Sequence, residues 1–351
     1  MTRSERMTSG SSSRVLRAGR RTNVALLTLM LGAFATGALA FGTGTASDAE
    51  LVTVAHGAFG LGLLLLVPWK SVIVRRSLRR GRGRSGHGAG MALGLLLVVA
   101  VAAGVVHAVG GYHPVFGVTA LAVHVGAAVV ALPLLVAHAW GRRQRPRRGD
   151  LSRRTVLRAG ALGVGSLAAY GTVEAIASVL GLPGRNRRET GSYEVGSGTP
   201  DRMPVTQWFT DTVPTVDRES WLLTVDSMAV PYAELSAGHD TVRAVLDCTG
   251  GWYAEQEWQG VRMDRLIGTM PSGARSIDVV SVTGYRRRLP LSDLDRLLLA
   301  TRAAGEPLSD GHGGPVRLVA PDRRGFWWVK WVQRIELTSE PWWLQPPFPL
   351  Q

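Results

Sequence analysis

Cys248 is the single cysteine in a chain of 351 residues, which removes the intramolecular disulfide from its repertoire. The text around it is Val245-Leu246-Asp247-Cys248-Thr249-Gly250-Gly251-Trp252. A β-branched and aliphatic run ends at the thiol, and a glycine-rich turn opens after it. That pattern puts a soft sulfur at the end of a strand, with room for something bulky to approach. A thiolate so placed can ligate a soft metal. A thiol so placed can equally be a small buried apolar residue, and this residue alone leaves both readings open.

The elements that must position such a residue divide into two halves. The chain is 46% hydrophobic, yet its formal net charge is +14. Apolar stretches run over Asn23–Phe41, Leu51–Trp69, Met91–Gly110 and Val115–Trp140, without Asp, Glu, Lys or Arg in their cores. Each is near the ~20 residues that cross a bilayer as a helix. A fifth stretch, Ala159–Leu180, is rich in Gly and Ala and carries Glu174. Basic residues fall in three blocks, Arg3 to Arg21, Lys70 to Arg84 and Arg142 to Arg158. These precede the first span, join the second to the third, and follow the fourth. All three therefore share one side of the membrane, which the positive-inside rule makes cytoplasmic. Residues 1–158 hold 21 basic and 4 acidic side chains, the remainder 19 and 22. The basicity reports topology, and nothing here supports a nucleic-acid partner, which needs a basic patch on a folded domain.

The expected organisation is multi-domain. A cytoplasmic basic tail at 1–21 precedes an N-terminal all-α transmembrane bundle of four helices at 22–140. A cytoplasmic loop at 141–158 leads to a fifth span at 159–181, then an extracytoplasmic domain at 182–351. The protein is expected in the cell membrane as a multi-pass chain. Ser152-Arg153-Arg154-Thr155-Val156-Leu157-Arg158 is similar to a twin-arginine export signal, with Val156 and Arg158 where Phe and Lys are usual. That resemblance implies a domain exported folded. Ala175-Ile176-Ala177 offers a cleavage site, but retention as a fifth span is the preferred expectation, although Arg185, Arg187 and Arg188 beyond it fit the charge rule poorly.

Histidines inside the spans also call for a reading, because ionisable groups at membrane depth suggest function. At ~1.5 Å per residue, His56 in the second span and His124 in the fourth come to one depth in the outer half. His107 lies nearer the outer surface and His138 nearer the cytoplasm. Two imidazoles from separate helices can clamp a b-type haem. They can also bond backbone or hydroxyl groups between packed helices, or touch a quinone.

From about Arg188 onward, roughly 160 residues suffice for one domain with its own core. Trp221–Val225, Val242–Leu246, Ile277–Val282, Val316–Val319 and Trp328–Leu337 read as strands. Leu291–Ala300 has helical spacing, and Val261–Ile267 reads as a second short helix. The elements do not alternate, so an α+β domain is expected. Trp327, Trp328, Trp331, Trp342 and Trp343 read as core and edge packing.

Several blocks then occur in a telling order: Trp208-Phe209, Pro214-Thr215-Val216-Asp217, Trp221-Leu222-Leu223, Cys248, Trp258-Gln259-Gly260-Val261, Leu289-Pro290-Leu291, Gly305-Glu306-Pro307-Leu308, His312-Gly313-Gly314-Pro315-Val316-Arg317 and Val329-Lys330-Trp331. Together, over nearly all of residues 200–340, they resemble the molybdopterin-binding domain of the sulfite oxidase family. The resemblance implies a molybdenum–molybdopterin cofactor with Cys248 as the metal's protein ligand. It implies that Arg317 and Lys330 hold the pterin phosphate or nucleotide, one as a planar fork and the other as a point charge. It also places Gln207, His312 and Thr283 at polar contacts to the pterin. Within the family, Thr249–Glu257 contains no Lys or Arg and the gap to Trp258 is short. Both features resemble the bacterial periplasmic methionine-sulfoxide reductase catalytic subunit. The expected activity is two-electron oxygen-atom transfer on a small or protein-bound sulfoxide-like substrate, with electrons exchanged through the membrane domain and a quinone or membrane redox partner. The alternatives are sulfite oxidation and a metal-free membrane-anchored binding or assembly protein on the same fold.

Overall fold

A computed structural model describes residues 19–44, 46–79, 87–141, 152–208, 211–268, 270 and 272–346. The basic tail before Gly19, Arg80, Arg82 and Arg84, Arg142 to Arg148, and Phe209 of the Trp208-Phe209 block lie outside the described residues. The chain divides into two compact units, Leu51–Arg185 with the residues up to Leu39, and Asn186–Gln351 with Ala40–Glu50.

The first unit is helical: α1 Arg20–Gly42, α2 Ala46–Leu65, α3 Val67–Arg79, α4 His87–Gly110, α5 Ala120–Trp140 and α6 Arg153–Val179. Five of these, all but α3, are long and apolar enough to cross a membrane. The second apolar stretch ends as a membrane-length helix at Leu65, short of the expected Trp69. A turn at Leu66 separates it from the arginine-bearing α3, and Pro68 sits in the first turn of α3, where its missing N–H costs nothing. The apolar text before Ala120 is a turn closed by paired hydrogen bonds between Val115 and Val118.

Small residues set several of the helix contacts by letting backbones approach closely. A Cβ on Gly57 of α2 would fall 2.4 Å from the Tyr170 ring of α6, and one on Gly62 would fall 2.4 Å from Ser166 Oγ. The fifth apolar helix thus packs on α2 through glycines. Leu93, Ala131 and Leu135 form a buried cluster between α4 and α5, joined by Leu27, Met30 and Phe34 of α1.

The second unit is α+β. Its strands are β1 Tyr193–Glu194, β2 Leu222–Val225, β3 Met228–Pro231, β4 Asp240–Cys248, β5 Trp252–Arg262, β6 Ser276–Ser281, β7 Arg286–Pro290, β8 Leu298–Ala303, β9 Glu306–Pro307, β10 Arg317–Val319 and β11 Val332–Thr338. The short helices α7 Tyr232–Ser236 and α8 Met263–Leu266 complete it. One sheet runs β1-β5-β8-β10, with β4 also on β5 and β9 on β8. The other runs β3-β2-β11-β6-β7.

Three sequence expectations change here. Leu291–Ala300 is not a helix: Leu291–Asp293 is a short 3-10 turn, and Leu298–Ala303 is a strand. The run Leu297-Leu298-Leu299-Ala300 is fully buried because β8 lies inside the sheet with both faces covered. A continuous apolar run of that length fits a buried strand as well as a helix. Val261–Ile267 is helical only over Met263–Leu266, since Val261 and Arg262 finish β5. The strand expected from Trp328 starts at Val332; Gly325–Trp327 is a 3-10 turn and Trp331 has φ +51°. Of the five tryptophans, Trp327, Trp328 and Trp331 are buried and Trp342 and Trp343 exposed.

The Trp258-Gln259-Gly260 block has a steric reason. The β5–β8 register shifts between Gln259 and Gly260, and a Cβ at Gly260 would fall 1.9 Å from Leu299 O. Only glycine lets the two strands close there. Trp258 is fully buried, donates from Nε1 to Ala244 O at 3.1 Å, and stacks edge-on with Trp328. Trp258→Ala is expected to lower the stability of this unit by about 3–5 kcal/mol, read as a fall in midpoint for its unfolding transition by calorimetry of the full chain in detergent.

Candidate functional site

β4 and β5 form a hairpin in which Cys248 faces Trp252 across Thr249-Gly250-Gly251. Gly251 takes φ +90° and its N–H donates to Cys248 O. The thiol therefore stands at a strand end beside a tight turn. Cys248 Sγ lies 3.3 Å from Gly250 N, which donates to it, and 3.3 Å from Thr206 Oγ1. Both contacts suit a thiolate. Behind it, Asp247 is buried and held by Arg324 Nη1 at 2.7 Å, Ser192 Oγ at 2.7 Å and Thr190 Oγ1 at 2.7 Å. Removing one partner of such a pair strands the other charge, so the pair fixes the strand that carries the cysteine.

Cys248 opens into a cavity of about 370 Å³. Gln207, Trp208, Asp211, Tyr285, His312, Arg317, Phe326 and Lys330 are among its lining. Five of the sequence-selected residues, Gln207, Cys248, His312, Arg317 and Lys330, thus meet in one cavity, although they span more than a third of the chain. Thr283 does not line it. Its hydroxyl donates to Asp211 Oδ2 at 3.2 Å, so it acts on the cavity through that carboxylate.

Arg317 and Lys330 converge because of the glycine between their elements. Gly313 has φ +98°, and a Cβ there would meet Lys330 Cβ and Cγ at 3.0 Å and Arg317 Cβ at 3.1 Å. Arg317 is 2% exposed and donates from Nη1 to His312 O at 2.9 Å. It lies over the Trp258 ring at 5.2 Å. Lys330 Nζ donates to Thr206 O at 2.8 Å and Gly311 O at 2.6 Å. Among the described residues no carboxylate forms an ion pair with either cation. Burial lowers Arg317 to about 10, with Cys248 acting against the shift. Burial and then repulsion from Arg317 lower Lys330 to about 7, while Cys248 and Asp211 oppose that.

His312 is buried with both ring nitrogens engaged: Ser309 Oγ at 2.8 Å from Nδ1 and Met203 O at 3.0 Å from Nε2. A ring so held positions the Ser309–Gly313 turn, whose carbonyls at His312 and Gly311 accept from Arg317 and Lys330. Burial lowers its pKa, and the two cations add to that. Asp211, which the sequence reading passed over, has its pKa raised by burial, with the Thr283 hydrogen bond and Lys330 opposing. It is a carboxyl able to hold a proton at the cavity. Thr206, Tyr285 and Phe326 were likewise missed. Their common signal was position next to a selected residue or on a turn, which is weak in one sequence.

The cavity fits an anionic, heteroatom-rich ligand with a soft metal. It has one thiol, two cations with no ion-paired carboxylate among the described residues, and two bordering buried donors, Trp252 Nε1 and Arg317 Nε, that have no acceptor among the described residues. Buried donors are rarely left so.

Comparison with known proteins agrees. Residues 210–344 match the family model of the oxidoreductase molybdopterin binding domain. The matched part of the C-terminal α+β unit is thus similar to oxidoreductase domains of the molybdopterin-binding class. The chain is similar to the uncharacterized oxidoreductase YuiH of Bacillus subtilis (strain 168), 32% identical over 100 residues, 27% of this chain and 50% of that protein. It spans about half the length of that curated relative. It is also similar to the sulfane dehydrogenase SoxCD of Paracoccus pantotrophus, at 22% identity and TM-score 0.35, over 36% of this chain and 40% of that one.

The Lys330 shift has a testable sign. In cofactor-free protein the folded state sheds this proton near pH 7, the unfolded state near 10.5. The unfolded state binds more protons between those values, so stability rises with pH there. The difference in stability between the unsubstituted chain and Lys330→Met should be flat below about pH 7 and shift in favour of lysine up to pH 10.5. Thermal denaturation of both cofactor-free proteins across pH 6 to about 10 checks it.

Proposed function

We propose that the chain is a membrane-anchored, molybdopterin-dependent oxidoreductase that transfers an oxygen atom, with a small or protein-bound sulfoxide-like compound as substrate. The observation that carries it is Cys248 Sγ, held by Gly250 N–H beside buried Arg317 and part-buried Lys330, neither of them ion-paired to a carboxylate among the described residues. Cys248 would ligate the molybdenum, Arg317 and Lys330 would hold the pterin's phosphate, and Trp252 Nε1 would find its acceptor there. The bound group would supply the two-electron redox chemistry.

The chain's own residues do the rest. Trp208 and Phe326 give the cavity an aromatic wall, which excludes water and suits the alkyl parts of a thioether. Asp211, whose carboxyl pKa burial pushes up, lies at the cavity wall. Reduction of a sulfoxide to the sulfide and water consumes two electrons and two protons, so a titratable carboxyl at this place has a use. The methionine-sulfoxide reductase type is preferred over sulfite oxidation for the same electrostatic reason. Thr249–Glu257 offers no Lys or Arg, Arg324 is committed to Asp247, and the two free cations are needed by the cofactor. A metal-free binding role is disfavoured, because it would leave Arg317 and Lys330 with no ion-paired anion among the described residues.

The helices support a multi-pass membrane location, with the three basic blocks cytoplasmic and the catalytic domain outside. Electrons would be exchanged through the membrane domain with a quinone or membrane redox partner. Arg153 and Arg154, in the first turn of α6, would be read by the export machinery for folded proteins.

Cys248→Ser is expected to remove more than about a hundredfold of molybdenum-dependent turnover, while thermal unfolding of the domain changes little. Full activity with an unchanged molybdenum spectrum would exclude the assignment. Replacing Arg153 and Arg154 with lysine preserves charge and hence the span topology. It is expected to leave the catalytic domain inside, protected from protease added to spheroplasts. Unchanged accessibility would reduce the pair to part of a basic loop.

A further inference from the structure

His56 and His124 come from separate hairpins of the helical unit and meet with ring centroids 5.6 Å apart and planes perpendicular. Each is held the same way. His56 Nδ1 lies 3.0 Å from Ala33 O of α1, and His124 Nδ1 lies 2.7 Å from Ala100 O of α4. One turn further along each of those helices is a glycine beneath the ring. A Cβ on Gly37 would fall 3.1 Å from His56 Cε1, and one on Gly104 would fall 2.9 Å from His124 Nδ1. The pattern Ala-x-x-x-Gly therefore occurs twice, at Ala33 and Gly37 and at Ala100 and Gly104, and seats one imidazole each time. Thr36 Oγ1 adds a contact to His56 Nδ1 at 3.3 Å.

A carbonyl acceptor fixes the tautomer: Nδ1 carries the proton, so Nε2 keeps its lone pair for a metal. Two metal–imidazole bonds of about 2 Å on opposite sides of one ion put the ring centroids on the order of 6 Å apart. The observed separation is a few tenths of an ångström below that. Ligand number then selects the metal. No group of three or more His, Cys, Asp or Glu side chains suited to a metal occurs among the described residues, so a bare ion would have too few donors here. A haem iron brings four equatorial nitrogens of its own and needs only two axial ones.

We propose that His56 and His124 are the axial ligands of one low-spin b-type haem in the helical unit. The binding site stands on that unit alone; its use rests on the oxidoreductase reading above. The iron would alternate between ferric and ferrous, one electron at a time. Two passes would deliver the electrons that sulfoxide reduction consumes, supplied by a membrane quinol that is oxidised to quinone with release of two protons.

The test uses the full chain, produced in a haem-competent host and purified in mild detergent, with haem, molybdenum and pterin measured on the same sample. About one haem per chain with a bis-imidazole low-spin spectrum is expected. His56→Ala and His124→Ala should each reduce haem content at least tenfold, and leave molybdenum content unchanged. Should an alanine variant fail to fold, His124→Met decides. Methionine can replace the ligand and raises the haem potential, whereas a purely structural histidine would leave spectrum and potential unmoved. Haem that survives both alanine substitutions, or a molybdenum-replete chain without haem, overturns the site. A chain with His-dependent haem but no molybdenum or pterin would uphold the site and overturn the oxidoreductase reading instead.

Discussion

Two cations brought side by side with no ion-paired carboxylate among the described residues are an unfavourable arrangement, and the C-terminal unit is built around one, with Asp211 of the same cavity acting on Lys330 without pairing to it. Arg317 and Lys330 repel each other and are both desolvated. Unpaired buried charge costs several kcal/mol in the absence of an opposite charge. The fold enforces the proximity through the φ +98° turn at Gly313 and through the buried His312 ring, whose two nitrogens are tied to Ser309 and Met203. An anion in the cavity turns the same arrangement from a cost into a binding site. The cysteine opens into the same cavity at the end of β4, which Asp247 and Arg324 immobilise.

Much of this was legible in the sequence. The strand end at Cys248, the apolar spans and the ordered blocks from Trp258 to Lys330 each carry a local signal, whether periodicity, a turn glycine or an unusual charge pattern. What escaped was set by tertiary context. Leu291–Ala300 has leucines at helical intervals, but sheet pairing on both sides of β8 overrode that spacing. Asp211 and Tyr285 reach the cavity from elements with no mark of their own. His312 lines the cavity and also positions a turn through both ring nitrogens, and a ring's hydrogen bonds cannot be read from its neighbours in sequence. For Thr283 the family position pointed to the right neighbourhood, one hydrogen bond from the cavity wall.

The helical unit uses a different economy. Helix contact depends on glycines placed under bulky groups: Gly57 under Tyr170, Gly62 beside Ser166, Gly37 and Gly104 under the two imidazoles. Such spacing is visible in sequence only as a high Gly and Ala content, which alone marks any tightly packed membrane helix. The partner across the interface gives each glycine its meaning.

The donors left over in the catalytic cavity bear on how the protein matures. Trp252 Nε1 and Arg317 Nε are buried without acceptors among the described residues, so under the proposed cofactor binding a ligand that supplied them would stabilise the closed domain. Anything that binds only the folded state stabilises it by mass action. Loading and compaction would then be coupled. A chain that had missed its cofactor would differ from a finished one in resistance to proteolysis as well as in activity, and a cell could sort the two without sensing catalysis at all.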